Sequence, residues 1–192
     1  NTAEKGPGGG RPSASPVSEP AASQLVGFLD NHDLARFLFD RPSAPALRNA
    51  LFFLLTTDTI PCLYYGTEQE FAGGNDPANR EDLWASGYAT DGATFRHVLK
   101  LARLRRTYAR LWRGDWRVVW DTDRTGSEQD AGILAFERSD GGHTVLVAIN
   151  THDTQTSETS ATSLGFGTMM TAFAPGTVLV DVFADPPERL TV

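Results

Sequence analysis

The chain has 192 residues, 40% of them hydrophobic, and a formal net charge of -7. This acidic balance argues against nucleic acid as a partner and suits a soluble protein with neutral ligands. No apolar run approaches the length of a membrane span, so no membrane partner is expected. The single cysteine, Cys62, lies in an apolar run, which predicts a small core residue rather than a nucleophile.

The first part of the chain predicts a strand–helix–strand unit. Residues 1–24 are rich in Gly, Pro, Ser and Ala, which is typical of a linker, an insertion or a disordered segment. Apolar runs at 25–29 and 60–65 predict two buried strands, and a helix from about Ser43, with Pro45 in its first turn, lies between them. The buried face of this helix is expected to hold Leu47, Ala50, Leu51, Leu54 and Leu55. The spacing of about 30 residues fits a crossover between parallel strands.

A long loop at residues 66–92 precedes a second predicted helix, from about Thr94 to Trp112. A loop of this length without regular structure is usually functional or disordered. The inner face of the helix is expected to hold Phe95, Val98, Leu99 and Ala102. Its arginines predict a solvated face and charge partners for the helix C-terminus: Arg103, Arg105, Arg106 and Arg110.

From Asp115 the apolar pattern changes to period two, which predicts a separate antiparallel β domain. The strand candidates, separated by turn residues, are 116–120, 132–137, 144–149 and 178–183. The boundary between the two parts is predicted near residues 112–115. Because another strand is expected to begin where the sequence stops at Val192, the β domain is expected to be truncated.

The candidate functional site is the run Asp30-Asn31-His32-Asp33, which directly follows the first predicted strand. Loops held by a rigid scaffold are where reactive side chains are placed. An imidazole beside a carboxylate can contact two hydroxyls of one sugar ring, since the carboxylate accepts and the ring nitrogens donate or accept. The alternative is a polar strand-to-helix turn in which Asp33 caps the helix.

Three segments resemble motifs of one known family. The run Phe28-Leu29-Asp30-Asn31-His32-Asp33, with Arg36-Phe37 behind it, resembles the fourth sequence motif of the α-amylase family of glycoside hydrolases. Residues 60–69 resemble the motif on that family's last barrel strand. Residues 74–80 are similar to the following loop in cyclodextrin glycosyltransferases and cyclomaltodextrinase or amylase-type enzymes. The resemblance continues at 133–138 and 145–150, and it covers roughly residues 25–185 in all.

The resemblance implies a (β/α)8 TIM barrel followed by an antiparallel Greek-key β-sandwich domain. Residues 25–113 would be the last quarter of the barrel, with strands seven and eight and their helices. Residues 114–192 would be the β domain. Residues at the ends of such barrel strands face the active site.

The chemistry that the resemblance implies is retaining hydrolysis or transfer at α-1,4-glucosidic bonds of starch, maltooligosaccharides or cyclodextrins. By the motif match, Asp33 is the third catalytic carboxylate, which stabilises the transition state, and His32 binds the same sugar. Asp76 and Arg80 match loop residues that hold glucose units further along the donor side. Asn31 is expected to support the turn rather than touch substrate.

The departures from the family concern what precedes residue 25. No strand-like run there ends in Arg-x-Asp, so the nucleophile and the general acid are expected outside this chain, which would be inactive alone. It is expected to be the C-terminal portion of a longer enzyme, secreted by analogy, although intracellular members exist. The family's calcium site is built from the earlier barrel, so no cofactor or metal is expected here, and the expected partner is an α-glucan oligosaccharide or polysaccharide.

Two other functions are consistent with parts of the sequence. One is a non-catalytic carbohydrate-binding or degenerate amylase-like protein, against which the intact His32 and Asp33 argue. The other makes the β domain the functional part, with Trp112, Trp116 and Trp120 as a sugar-stacking surface. Trp116 and Trp120 are predicted on one strand face, for which burial is the simpler explanation.

Some single residues carry narrower predictions. Trp84 is predicted either to stack on a glucose ring or to anchor its loop. Three histidines, which have no partners at metal-ligand spacing, are expected to be surface or structural residues: His97, His143 and His152. Because two parallel strands have free edges, the isolated chain is predicted to aggregate or to pack loosely over residues 25–70.

Overall fold

The computed structural model of the chain describes residues 21–109, 111–159 and 169–192. The helices are α1 (Phe37–Asp40), α2 (Ala44–Thr56) and α3 (Ala93–Thr107), with short 3-10 turns at Ala21–Gln24, Thr67–Gln69, Leu83–Ser86 and Leu111–Arg113. The strands are β1 (Val26–Gly27), β2 (Ile60–Pro61), β3 (Asp115–Trp120), β4 (Ile133–Ser139), β5 (Thr144–Asn150), β6 (Val178–Asp181) and β7 (Glu188–Thr191). Of the predicted linker at 1–24, residues 1–20 lie outside the described residues. In the described ranges, no helix has the length and apolar character that a membrane crossing requires.

β1 and β2, which precede and follow α2 in the sequence, pair with each other in parallel, as the strand–helix–strand pattern predicts. The pair is only two residues long, with Val26 opposite Ile60. The prediction that both runs are buried is wrong, because Leu25 is 62% exposed and Ile60 is 52% exposed. Cys62 is likewise exposed rather than a core residue. A parallel pair needs covering layers on both faces, and two short strands cannot provide these for each other.

α2 forms where the sequence predicts it. The Ser43 hydroxyl accepts a hydrogen bond from the backbone N–H of Ala46 at 3.3 Å, which caps the helix, and Pro45 lies in the first turn. The predicted inner face is confirmed for four leucines, which are buried: Leu47, Leu51, Leu54 and Leu55. With Leu38 and Leu101 they form the first hydrophobic core.

α3 is shorter than predicted and turns a different face inward. It ends at Thr107, and its buried residues are Thr94 and Leu101. Leu99 is 40% exposed, so the predicted placement of Leu99 and Ala102 on the inner face is wrong. The reason is that Thr94 and Leu101, two helical turns apart, lie on the inner face, which leaves the side chain of Leu99 pointing away from it.

Arg105 lies on this inner face, and its predicted place on a solvated face is therefore wrong. Its guanidinium donates to the carbonyl oxygens of Leu55 at 2.7 Å, Thr57 at 2.9 Å and Thr59 at 2.6 Å. The last carbonyls of a helix have no partner within that helix. Arg105 therefore caps the C-terminus of α2 rather than that of its own helix.

β3, β4 and β5 form the antiparallel sheet that the period-two pattern predicts. The ladder between β4 and β5 runs without interruption from Ile133 opposite Asn150 to Ser139 opposite Thr144. β6 and β7 form a separate antiparallel hairpin. One face of the three-stranded sheet carries the second hydrophobic core, whose buried members are Trp112, Phe136, Val147 and Ile149.

A bulge in β3 changes which way its residues point. The register shifts between Val118 and Trp120, so that Trp116 lies opposite Arg138 while Trp120 lies opposite Ala135. Paired residues share a face and neighbours along a strand alternate, so partners three positions apart lie on opposite faces. The prediction that Trp116 and Trp120 share a face is therefore wrong.

The three tryptophans are packed into the protein. The Trp116 ring stacks on Phe136 with 4.0 Å between ring centroids. The indole N–H of Trp120 donates to Asp130 at 3.2 Å, and Trp112 is only 7% exposed. These rings do not form a common open surface, so the structure contradicts the sugar-stacking alternative for the β domain.

The helices and the β strands are joined by both apolar and polar contacts. The rings of Phe52 and Phe183 meet edge to face with 5.0 Å between centroids. The Lys100 ammonium donates to the carbonyl oxygen of Phe183 at 2.7 Å. The Asn49 amide donates to the carbonyl oxygen of Asn150 at 2.9 Å. The two parts therefore pack on each other through α2 and α3.

Candidate functional site

The turn after β1 is shaped by Asn31. Its side-chain oxygen accepts the backbone N–H groups of Asp33 at 2.8 Å and Leu34 at 3.0 Å, an Asx-type turn. The predicted supporting role of Asn31 is confirmed. This turn presents His32 and Asp33 to solvent, with side chains 64% and 70% exposed.

The His32 and Asp33 side chains lie side by side, with 3.4 Å between Nε2 and Oδ1. The helix-cap alternative for Asp33 is wrong, because the N–H at the start of α1, that of Phe37, is accepted by Asp30 at 3.2 Å. The carboxylate of Asp33 therefore stays available. A carboxylate and an imidazole this close can together contact adjacent hydroxyls of one ring.

Asp30 is the buried member of the same run. It is 3% exposed, and its second oxygen accepts a hydrogen bond from the Thr67 hydroxyl at 2.9 Å. Thr67 begins the short turn that follows β2. Asp30 therefore links the turn after β1 to the turn after β2.

The structure brings the loop residues Asp76 and Arg80 to the same place. Their side chains form an ion pair with 3.0 Å between Nε of Arg80 and Oδ1 of Asp76. The same Nε lies 3.4 Å from the carbonyl oxygen of His32. All four predicted site residues thus lie at the end of β1, each about half exposed or more.

Asn79 holds this loop against the turn, a role that its sequence context does not predict. Its side chain is fully buried, and its amide donates to the carbonyl oxygens of His32 at 2.9 Å and Leu34 at 2.8 Å. An asparagine in a loop rich in Gly, Asn and Pro looks like an ordinary turn former. No local signal marks an asparagine whose partners lie 45 or more residues away.

Arg36 gives the site a second buried support. Its side chain is fully buried, and its guanidinium carbon lies 4.0 Å from the ring centroid of Tyr64. Its Nε donates to Glu81 at 3.2 Å. The other oxygen of Glu81 accepts the N–H groups of Ala72 and Gly73 at 3.0 and 2.9 Å. Arg36 therefore fixes the start of the loop that carries Asp76 and Arg80.

Three other residues singled out from the sequence are exposed to solvent or contact only the protein backbone and neighbouring rings. Trp84 is 67% exposed, which argues against the alternative that it anchors its loop. His97 packs between helices, with Nε2 2.9 Å from the Arg48 carbonyl oxygen. His152 accepts two backbone N–H groups through Nδ1. His97 and His152 are therefore structural residues. In the parts of the chain that the structure describes, no group of three or more His, Cys, Asp or Glu side chains is placed to hold a metal ion.

Comparison with known proteins gives a consistent result. A family model for the all-beta C-terminal domain of alpha amylase matches residues 124–173. A cyclomaltodextrin glucanotransferase of Bacillus sp. (strain 1-1) is 38% identical over 143 residues, which is 74% of this chain and 19% of that protein. The chain spans between 10% and 19% of the length of the curated relatives it matches.

Two solved structures extend the likeness to the fold. The Gamma-CGTase of alkalophilic Bacillus clarkii superposes with a TM-score of 0.67 and 30% identity, covering 84% of this chain and 22% of that one. An alpha-amylase of Geobacillus thermoleovorans, solved with acarbose, gives a TM-score of 0.56 and 31% identity, covering 68% of this chain and 28% of that one. By sequence and by fold, the chain is similar to members of the α-amylase family of glycoside hydrolases, and residues 124–173 match the model of that family's all-beta C-terminal domain.

Proposed function

We propose that this chain is the C-terminal portion of a retaining glycosidase or transglycosylase that acts on α-1,4-glucans. The observation that carries the proposal is the exposed His32–Asp33 pair at the end of β1, backed by the Asp76–Arg80 ion pair. The relatives include amylases and cyclomaltodextrin glucanotransferases, and one of the similar structures was solved with acarbose.

The proposal places β1, α2 and β2 in a (β/α)8 barrel as strand seven, its helix and strand eight. Support comes from the parallel pairing of the strands across α2 and from their exposed apolar side chains, which neighbouring strands would cover. Residues 114–192 would form the Greek-key β domain that follows. The proposal assigns no cofactor to these residues, and it has the enzyme secreted, where starch is encountered.

In this function Asp33 binds a glucose unit whose glycosidic bond is cleaved by other residues. In a retaining mechanism a carboxylate elsewhere attacks the anomeric carbon while a carboxylic acid protonates the leaving oxygen. Water or a sugar hydroxyl, deprotonated by the same group, then attacks the anomeric carbon and displaces the enzyme carboxylate. Asp33 and His32 would bind hydroxyls of the ring at the bond that breaks. Interactions that strengthen as this ring distorts toward the oxocarbenium-like state raise the rate.

Asp76 and Arg80 would bind the next glucose units on the donor side. Their ion pair is partly exposed, so its worth lies in orientation rather than in stability. A carboxylate and a guanidinium held together offer acceptors and donors for several sugar hydroxyls at once. The hydrogen bond from Arg80 to the His32 carbonyl keeps this subsite in register with the reacting ring.

The test is an Asp33→Asn substitution in the full-length protein, assayed on maltooligosaccharides and soluble starch. Removing a transition-state carboxylate is expected to lower kcat on the order of 10²-fold or more, with the unfolding temperature unchanged. Asp40→Asn, an exposed carboxylate at the end of α1, is the matched control and is expected to keep full activity. Normal turnover in Asp33→Asn would overturn the proposal, as would a wild-type protein that binds these sugars without cleaving or transferring them.

A further inference from the structure

Two large aromatic rings stand in solvent on the loop after β2. Trp84 is 67% exposed and Tyr88 is 63% exposed. Within the described ranges, neither side chain makes a hydrogen bond or a ring contact with another residue. The described part of the fold therefore gains no hydrogen bond and no ring stacking from either side chain.

The rings are isolated in a polar stretch. Between residues 66 and 98, Trp84 and Tyr88 are the only exposed large hydrophobic residues that the structure describes. Docking surfaces for proteins present contiguous apolar area, which this loop does not have. Trp84 follows Arg80 by four residues, so the rings continue along the chain from the proposed donor-side subsite.

The backbone that carries the rings is anchored at both ends. On one side Glu81 accepts the N–H groups of Ala72 and Gly73. On the other side the Gln69 amide donates to the carbonyl oxygen of Ala89 at 2.9 Å. The Ser86 hydroxyl accepts the N–H of Tyr88 at 3.1 Å. Rings on a fixed backbone can bind a ligand without first being ordered.

Tyr88 also has a strained backbone. Its φ is 53°, in the left-handed region, where a bulky side chain is an outlier. Gly87 before it has a φ of 63°, which costs a glycine nothing. Residues with strain of this kind cluster at active sites and ligand-binding sites, and glycine at position 88 would remove the strain.

We propose that Trp84 and Tyr88 form an aromatic platform for glucose units that lie beyond those held by Asp76 and Arg80. This inference rests on the proposed function and adds a chain-length preference to it. A pyranose ring has an apolar C–H face and a hydroxylated rim. Tryptophan and tyrosine match it, since each combines an apolar face with a polar tip.

The test compares a short and a long substrate in the full-length enzyme. For Trp84→Ala, kcat/KM for maltoheptaose is expected to fall about 3- to 10-fold further than kcat/KM for maltotriose, the size of one lost ring contact. Leu99→Ala removes a partly exposed apolar side chain from α3, where Leu99 is 40% exposed, and is expected to leave the ratio unchanged.

A second variant separates the ring from the backbone. Tyr88→Gly removes the side chain and relieves the left-handed strain, so the unfolding temperature is expected to stay equal or rise while the maltoheptaose to maltotriose ratio falls. A purely structural role for Tyr88 predicts the reverse, a lower unfolding temperature and an unchanged ratio, and that result would overturn the platform.

The remaining outcomes separate the two proposals. Equal losses on both oligosaccharides, or no loss on either, in an active enzyme would overturn the platform and leave the proposed function standing. A wild-type protein with no activity on either oligosaccharide would overturn the proposed function, and the platform with it.

Discussion

The parallel pair β1–β2 and the antiparallel sheet β3–β5 are held in place by different kinds of contact. β1 and β2 pair over two residues each, and the apolar side chain of Val26 is 56% exposed. β4 and β5 pair over seven residues each, and Ala135 and Phe136 are fully buried. The antiparallel sheet closes through local turns, while parallel strands depend on covering layers from elsewhere.

The candidate site lies beside the parallel pair β1–β2, which is less enclosed than the antiparallel sheet. The turn that presents His32 and Asp33 is positioned by three buried polar side chains, Asp30, Arg36 and Asn79. Apolar contacts are non-directional, whereas hydrogen bonds fix both distances and directions. The antiparallel sheet is thus stabilised by an apolar core, whereas the candidate site is positioned by buried polar side chains.

The largest expected effect is on the antiparallel sheet. Phe136→Ala is expected to lower the free energy of unfolding by about 3–5 kcal/mol, because it leaves a cavity at a fully buried position. The lost contacts include the stacked Trp116 ring and the edge-to-face pair with Phe53. Urea denaturation followed by tryptophan fluorescence measures the change.

The control for Phe136→Ala lies across the same ladder. Val118, opposite Phe136 on β3, is 44% exposed, and Val118→Ala is expected to cost less than about 1 kcal/mol. Similar losses in both variants would break the comparison, because the sheet would then have no distinct apolar core.

A smaller and more local effect is expected from the polar scaffold. Asn79→Ala removes the amide that holds the carbonyls of His32 and Leu34, at an expected cost of about 1–3 kcal/mol. The turn is expected to loosen, which hydrogen exchange at the amides of Asp33 and Leu34 measures. In the full-length enzyme kcat is expected to fall with it.

Asn75 provides a matched control for Asn79 in the same loop. It is exposed, and Asn75→Ala is expected to leave both hydrogen exchange and kcat unchanged. A second comparison is Asn79→Asp, which keeps the size but replaces the donor with an acceptor that faces two carbonyl oxygens. If either Asn79 variant behaves like Asn75→Ala, then position at this site does not depend on the buried amide.

The elements that the sequence predicts well are those with local signals. Ser43 and Pro45 mark the start of α2, and the four leucines at helical spacing are its buried face. The period-two runs become β3, β4, β5 and β6. The four predicted site residues also come together, because the turn and the loop that carry them follow neighbouring parallel strands.

What the sequence does not predict depends on partners far along the chain. The bulge in β3 places Trp116 and Trp120 on opposite faces, and an alternating pattern contains no sign of an inserted residue. Arg105 looks like one of several solvated arginines until the end of α2 is found beside it. Asn79 is ordinary in its own loop and becomes important only against a turn 45 residues earlier.

The smallest expected effect lies at the contact between the helices and the β strands, where His97 packs 5.1 Å from the Phe183 ring. Burial lowers the pKa of His97 from its usual 6.5; the hydrogen bond with the Arg48 carbonyl opposes this, and the charges of Arg48 and Lys100 add to it. The folded chain therefore binds this proton less readily than the unfolded chain. Stability is expected to be full above the unfolded pKa and to fall as the pH drops from that value toward the lowered folded pKa.

The measurement is urea denaturation of the wild type, His97→Gln and His143→Gln at steps from about pH 8 to about pH 5. His97→Gln is expected to show a shallower loss of stability with acid than the wild type. His143, whose side chain is 84% exposed, is the matched histidine control, and its variant is expected to follow the wild type. If the free energy of unfolding falls in parallel with pH for all three proteins, then protonation of His97 does not contribute to the loss of stability.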